Sequence, residues 1–108
     1  MDWASLHSTA FVLRIRPGRI EEYRRRHREI WPEMVAALRA DGIVHYEIFL
    51  HEESGRVFGH ILRSRPPNAD TAEHPVILRW RRYMADVLEM DGEKPARDPV
   101  ERVFYLTA

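Results

Sequence analysis

Apolar and polar residues alternate from Thr9 to Arg16, with Phe11, Leu13 and Ile15 sharing one face, and the alternation stops at Pro17-Gly18. A period of two predicts a half-buried strand followed by a break. From Arg19 the spacing lengthens: Ile20, Tyr23, His27, Ile30 or Trp31, Met34, Val35 and Leu38 recur at three and four residues. That spacing predicts a helix, and Asp41-Gly42 supplies its exit. Pro32 lies within the pattern, where it removes a backbone donor and crowds the carbonyl four residues earlier. A kink or restart is expected near Trp31.

Alternation returns in Ile43 to Leu50, with Val44, Tyr46 and Ile48 on one face and His45 and Glu47 on the other. The turn HEESG then leads to a third alternating run, Arg56 to Arg63, so the pair reads as a hairpin. Arg65-Pro66-Pro67-Asn68 predicts a loop. Beyond it Ile77, Trp80, Tyr83 or Met84 and Val87 or Leu88 mark a second helix, with Asp70 or Thr71 as candidate caps and Pro75 in the first turn. Asp91 to Pro99 is polar and holds two prolines, which predicts a loop, and Val100 to Leu106 predicts a fourth strand.

The order β-α-β-β-α-β is the split βαβ arrangement of ferredoxin-like α+β domains, a four-stranded antiparallel sheet with two helices on one face. No third helix remains to cover the other face, so pairing of two sheets in a homodimer is expected. With 108 residues the chain is expected to form a single domain, residues 1–8 being a flexible N-terminus.

Composition narrows the function. The 17 basic and 17 acidic residues balance, whereas a general nucleic-acid binder needs a basic excess to neutralise phosphates. There is no cysteine, which removes disulfides, thiolate nucleophiles and Cys-based metal centres. No run approaches the ~20 apolar residues of a membrane span, and MDWASLHSTAF lacks the marks of a signal peptide, so a cytoplasmic protein is expected.

Six histidines are the candidates for proton transfer near neutral pH. His51 by the hairpin turn and His74 before Pro75 are expected at the surface, and His45 and His60 can be neighbours on adjacent strands. His27 differs, because it falls on the apolar stripe of the first helix between Tyr23 and Trp31. A lone histidine there is more often core filling than catalyst. No HxxxH or HxH spacing occurs, so the expected metal count is none. The run Arg24-Arg25-Arg26-His27-Arg28 spreads around a helix and is expected to be solvated, paired with Glu21, Glu22 and Glu29. Trp31 and Trp80 can wall a sugar site or fill a core.

One segment resolves the ambiguity. Glu21 to Glu33 (EEYRRRHREIWPE) closely resembles the EEYxRRHxxIWPE motif of the L-rhamnose mutarotase family. Further on, GIVHYEIFL (Gly42 to Leu50) resembles that family's GAxxYxIxL strand. HPVILRWRRYMADVL (His74 to Leu88) resembles its HPVxxxWWxxMADxM helix, and Val103-Phe104-Tyr105-Leu106 its terminal motif. The resemblance runs in order over nearly the whole chain.

It implies a dimeric α+β barrel that uses no cofactor and interconverts the α and β anomers of L-rhamnose or a related 6-deoxy aldose. Carried over by position, His27 is the proton donor, Tyr23 and Tyr46 bind the sugar, and Trp80 and Arg81, at the family's tandem-tryptophan positions, are expected to bind it as well. Arg81 replaces the second tryptophan of the family's pair, and the loop from Asp91 to Val100 departs from the family's NPDNSPV-like segment. A charged fork in place of a flat ring changes what a pocket prefers. Two other readings share the scaffold: a cofactor-free monooxygenase of the dimeric α+β barrel type, and a sugar-binding module without catalysis.

Overall fold

A computed structural model describes residues 2–67 and 74–107. A short 3-10 turn at Trp3–Ser5, capped by the Asp2 carboxylate, precedes strand β1 at His7–Arg14. Helices α1 (Ile20–Arg28) and α2 (Pro32–Ala40) follow, then strands β2 (Ile43–His51) and β3 (Arg56–Arg63). Helix α3 (Pro75–Met84) and two short strands, β4 (Met90–Asp91) and β5 (Lys94–Pro95), complete the order.

The main sheet is antiparallel with order β1-β3-β2. Its register pairs Phe11 with Gly59, Gly59 with Ile48 and Ile61 with Tyr46. Phe11, Leu13, Val57, Ile61 and Ile43 therefore face the helices, where they pack in one cluster with Tyr23, Met34, Val76, Trp80 and Met84. Val57, Met84 and Val87 are sealed completely, each worth about 1.5–3 kcal/mol of transfer free energy.

Pro32 does more than kink the first helix. The residue before a proline is driven to extended backbone, and Trp31 sits at φ −62, ψ 132, so the helix ends at Arg28 and restarts with Pro32 in its first turn. Glu21 and Glu22 in the first turn of α1, with Arg25, Arg26 and Arg28 in its last, complement the helix dipole.

Four expectations need correction. The four-stranded sheet has three strands here, because Val100–Leu106 forms no ladder. In a ferredoxin-like order that segment would lie along β1, but the 88–98 segment already occupies that edge. Asp98 bridges to Val12, Leu88 bridges to Ile15, and Glu89 donates its backbone N–H to the Arg14 carbonyl. The 91–99 loop contains the small β4–β5 hairpin. A bulge at Val44 shifts the face of β2, so Ile43 is buried while Val44 is exposed. The second helix stops at Met84, short of Val87 and Leu88, and its cap is His74, whose Nδ1 accepts from the Val76 N–H at 3.1 Å. Asp70 and Thr71, the expected caps, lie outside the described residues. No described helix is long and apolar enough to cross a membrane.

Candidate functional site

The break between α1 and α2 shapes the aromatic cluster that holds Trp80 in place at the site. It holds Trp31 against Trp80 of α3, edge to face, with ring centroids 5.0 Å apart, and Tyr83 packs on both. His27, one turn before the break, lies edge-on to Trp80 at 5.5 Å and against the Tyr23 ring at 4.2 Å. A cavity of about 450 Å³ opens between α1, α2 and β2, and its lining includes His27, Trp80, Tyr46, Met34, Leu38 and Arg39. That volume lies within the usual range for small-molecule sites.

The protonation of His27 follows from its bonds. Its Nδ1 lies 3.0 Å from the Tyr23 carbonyl, which can only accept, so Nδ1 carries the proton and the lone pair of the neutral ring is on Nε2. Burial pushes the imidazole pKa below its ordinary value, and the bond to the Tyr23 carbonyl offsets part of that. At neutral pH the ring is therefore uncharged.

The two tyrosines shift the other way. Burial raises the Tyr23 phenol well above the usual range, and the nearby Tyr46 phenol adds to it. Tyr46 retains 37% of its surface, yet loss of water around its phenol raises that pKa too, against the pull of Arg97 and Arg63. Both stay protonated and can donate hydrogen bonds. Phe11 stands edge-on to Tyr46 at 6.2 Å, and the Arg97 guanidinium lies 4.9 Å over the Phe11 ring.

His27, Tyr46 and Trp80 thus line one cavity. Tyr23 is buried behind His27 and contributes a carbonyl and a ring face to it; it is not part of the lining. Arg81, half-buried, is also outside the lining. The solvated arginine run holds with one exception. Arg24 pairs with Glu21 and Arg25 with Glu22 and Glu29, but Arg26 is buried. Its guanidinium donates to Asp86 Oδ1 at 2.8 Å and to the Tyr83 carbonyl at 2.6 Å, tying α1 to the end of α3. Sequence reasoning missed Arg39 and Met34 in the lining and the influence of Arg63 and Arg97 on Tyr46. Met34 was visible on the apolar stripe; the arginines left no signal.

The site defines a small α+β domain whose helix break and sheet edge enclose a pocket lined by two imidazoles, His27 and His45, the Tyr46 phenol and Trp80. Residues 8–106 match the family model described as L-rhamnose mutarotase. Among curated relatives, an L-rhamnose mutarotase of Sinorhizobium fredii is 44% identical over 100 residues, covering 91% of this chain and 96% of the relative. An L-rhamnose mutarotase of Acidiphilium cryptum is 42% identical over 104 residues, with 94% and 99% covered. The crystal structure of the L-rhamnose mutarotase of Formosa agariphila aligns with a TM-score of 0.80 at 28% identity, covering 94% of this chain and 99% of that one. The chain belongs to the L-rhamnose mutarotase family.

Proposed function

We propose that the protein interconverts the α and β anomers of L-rhamnose, with His27 and Tyr46 exchanging the two protons of ring opening. The observation that carries the mechanism is the neutral His27 ring, pinned through Nδ1 to the Tyr23 carbonyl, on the wall of a sugar-sized cavity. Nε2 removes the proton of the anomeric hydroxyl while the Tyr46 phenol delivers one to the ring oxygen. The carbon–oxygen bond of the ring breaks, and the aldehyde turns about one carbon–carbon bond. Reclosure reverses both transfers, and the imidazolium is then the proton donor that the resemblance implies. Positioned proton transfer of this kind contributes about 100- to 10,000-fold. Trp80 offers an apolar face to the C–H side of the sugar and its methyl group. Tyr23 acts as a positioning residue, through its carbonyl. Arg81, next to Trp80 on α3, acts from outside the lining as a determinant of which sugar binds.

Each proton transfer lies within what these side chains supply, and no cofactor is called for. The family's curated members favour this reading over a monooxygenase or a non-catalytic sugar module. Saturation-transfer NMR of L-rhamnose, with L-fucose alongside, tests it: anomer exchange should quicken with protein, most for the preferred sugar. An exchange rate unchanged by the protein for both sugars would refute it.

The dimer belongs to the same proposal. Val103, Phe104 and Leu106 are 77–87% exposed, and Phe49 and Phe58 stand exposed on the sheet face away from the helices. A gap of about 880 Å³ separates the C-terminal segment from Leu62, Ala10 and Trp3. A second copy stacked on this face would cover these groups and form the dimeric α+β barrel that the resemblance implies, with Val100–Leu106 pairing across the two chains. Sedimentation at micromolar concentration should give twice the chain mass, and a monomer would contradict the pairing.

A further inference from the structure

The sheet face away from the helices carries a group of side chains to which the proton exchange gives no role, although two of them, His45 and Glu47 on the edge strand β2, also border the sugar cavity. On β2, His45 and Glu47 point to this face, and the register sets His60 of β3 directly opposite Glu47. His45 Nε2 lies 3.4 Å from Glu47 Oε1, His60 Nδ1 lies 3.9 Å from the same oxygen, and the three ligand atoms fall within 4.8 Å of one another. Tetrahedral zinc with bonds of about 2.0–2.2 Å sets its ligands roughly 3.3–3.5 Å apart, so small side-chain rotations bring these three to coordinating distance.

Two further features favour a metal. Ser8 Oγ of β1 is 3.0 Å from His60 Nε2. With Nε2 donating to that hydroxyl, the Nδ1 lone pair is turned toward Glu47, which is how a metal-bound histidine is oriented by a partner on its other nitrogen. The second concerns charge. Among the described residues no Lys or Arg pairs with Glu47, although arginine carboxylate pairs run through the rest of the surface. Its ion-pair partners among the described residues are the two imidazoles.

We propose that His45, Glu47 and His60 form a divalent transition-metal site, zinc in the first instance, with Ser8 as its supporting hydroxyl. Two imidazoles and one carboxylate suit zinc and reject magnesium or calcium, which take oxygen ligands. Three protein ligands leave a fourth position for water, and since the proposed dimer stacks on this face the site would lie at the interface between the two copies. Backbone pairing fixes the three Cα positions, so the site needs little ordering when metal arrives.

Chelator-treated full-length protein, titrated with Zn²⁺ against a chromophoric chelator and separately with Co²⁺ followed by visible absorption, tests this without reference to sugar turnover. One zinc per chain and a tetrahedral cobalt spectrum are expected. His60→Ala and Glu47→Gln should abolish both, and Ser8→Ala should weaken zinc by about 10-fold. His51→Ala, which removes an imidazole beside the hairpin turn, should leave binding unchanged. The proposal falls if wild type binds no zinc more tightly than about 0.1 mM. It also falls if His60→Ala and His45→Ala, shown folded by circular dichroism, bind as well as wild type.

Discussion

Gly59 is the position where one methyl group tests both packing and site. A Cβ built there meets Phe11 Cζ at 2.0 Å, Cε1 at 2.4 Å and Cε2 at 2.5 Å, because the Phe11 ring lies flat across the strand opposite. Relief to an ordinary carbon–carbon contact of about 3.5 Å requires the ring to retreat by roughly 1.5 Å. Phe11 is 4% exposed and packed in the core cluster, so that space has to be made by neighbours. Overpacking of this kind costs about 1–3 kcal/mol. For a domain of this size, Gly59→Ala should lower Tm by roughly 5–20 °C in a calorimetric or fluorescence melt. The displaced ring also abuts Tyr46, so KM for the sugar should rise with the loss of stability. The clashing atoms are the outer ring carbons, which leucine lacks. In a Phe11→Leu background the added Gly59→Ala should therefore cost far less than alone, a non-additivity read from the double-mutant cycle. A Gly59→Ala melt within about 2 °C of wild type would refute the close-packing argument.

Two predictions concern titration. Hydrogen bonding to Arg26 holds the Asp86 carboxyl down at about 2, and this pair joins α1 to α3. A depressed carboxylate pKa contributes stability above its unfolded value near 4, which is lost as pH falls toward 2. The Tm advantage of wild type over Asp86→Asn should accordingly shrink across that window; a constant difference would contradict the assignment. The side chain is more than half exposed, so the advantage itself should be modest. For His27, burial lowers the pKa, and activity needs the neutral ring. The acid limb of kcat/KM should have its midpoint below the ordinary value of about 6.5. A midpoint above it would show that the ring titrates in a different environment.

Much of the fold was legible because its elements are local. The strand ending at Pro17, the hairpin through HEESG and the helix break at Pro32 each follow from period and breaker within a short window. His27 was readable as a candidate from its place on the apolar stripe, and the EEYRRRHREIWPE motif gave it a role. What stayed hidden depends on distant pairing. Nothing in Val100–Leu106 says that the 88–98 segment has taken the β1 edge. The bulge at Val44 moves Ile43 onto the buried face without changing the alternation around it. Arg26 reads like its neighbours, and only the approach of Asp86 and Tyr83 distinguishes it. The grouping of His45, Glu47 and His60 needs the cross-strand register, which no spacing rule along one strand supplies.

At the centre of the account is proton exchange by the imidazole of the first helix. The most direct measurement is the rate of L-rhamnose anomer exchange by NMR for wild type and for His27→Gln, with the melt of each recorded. The account predicts a variant that stays folded and loses about 100- to 10,000-fold in catalysed exchange. A folded variant exchanging at the wild-type rate would contradict it.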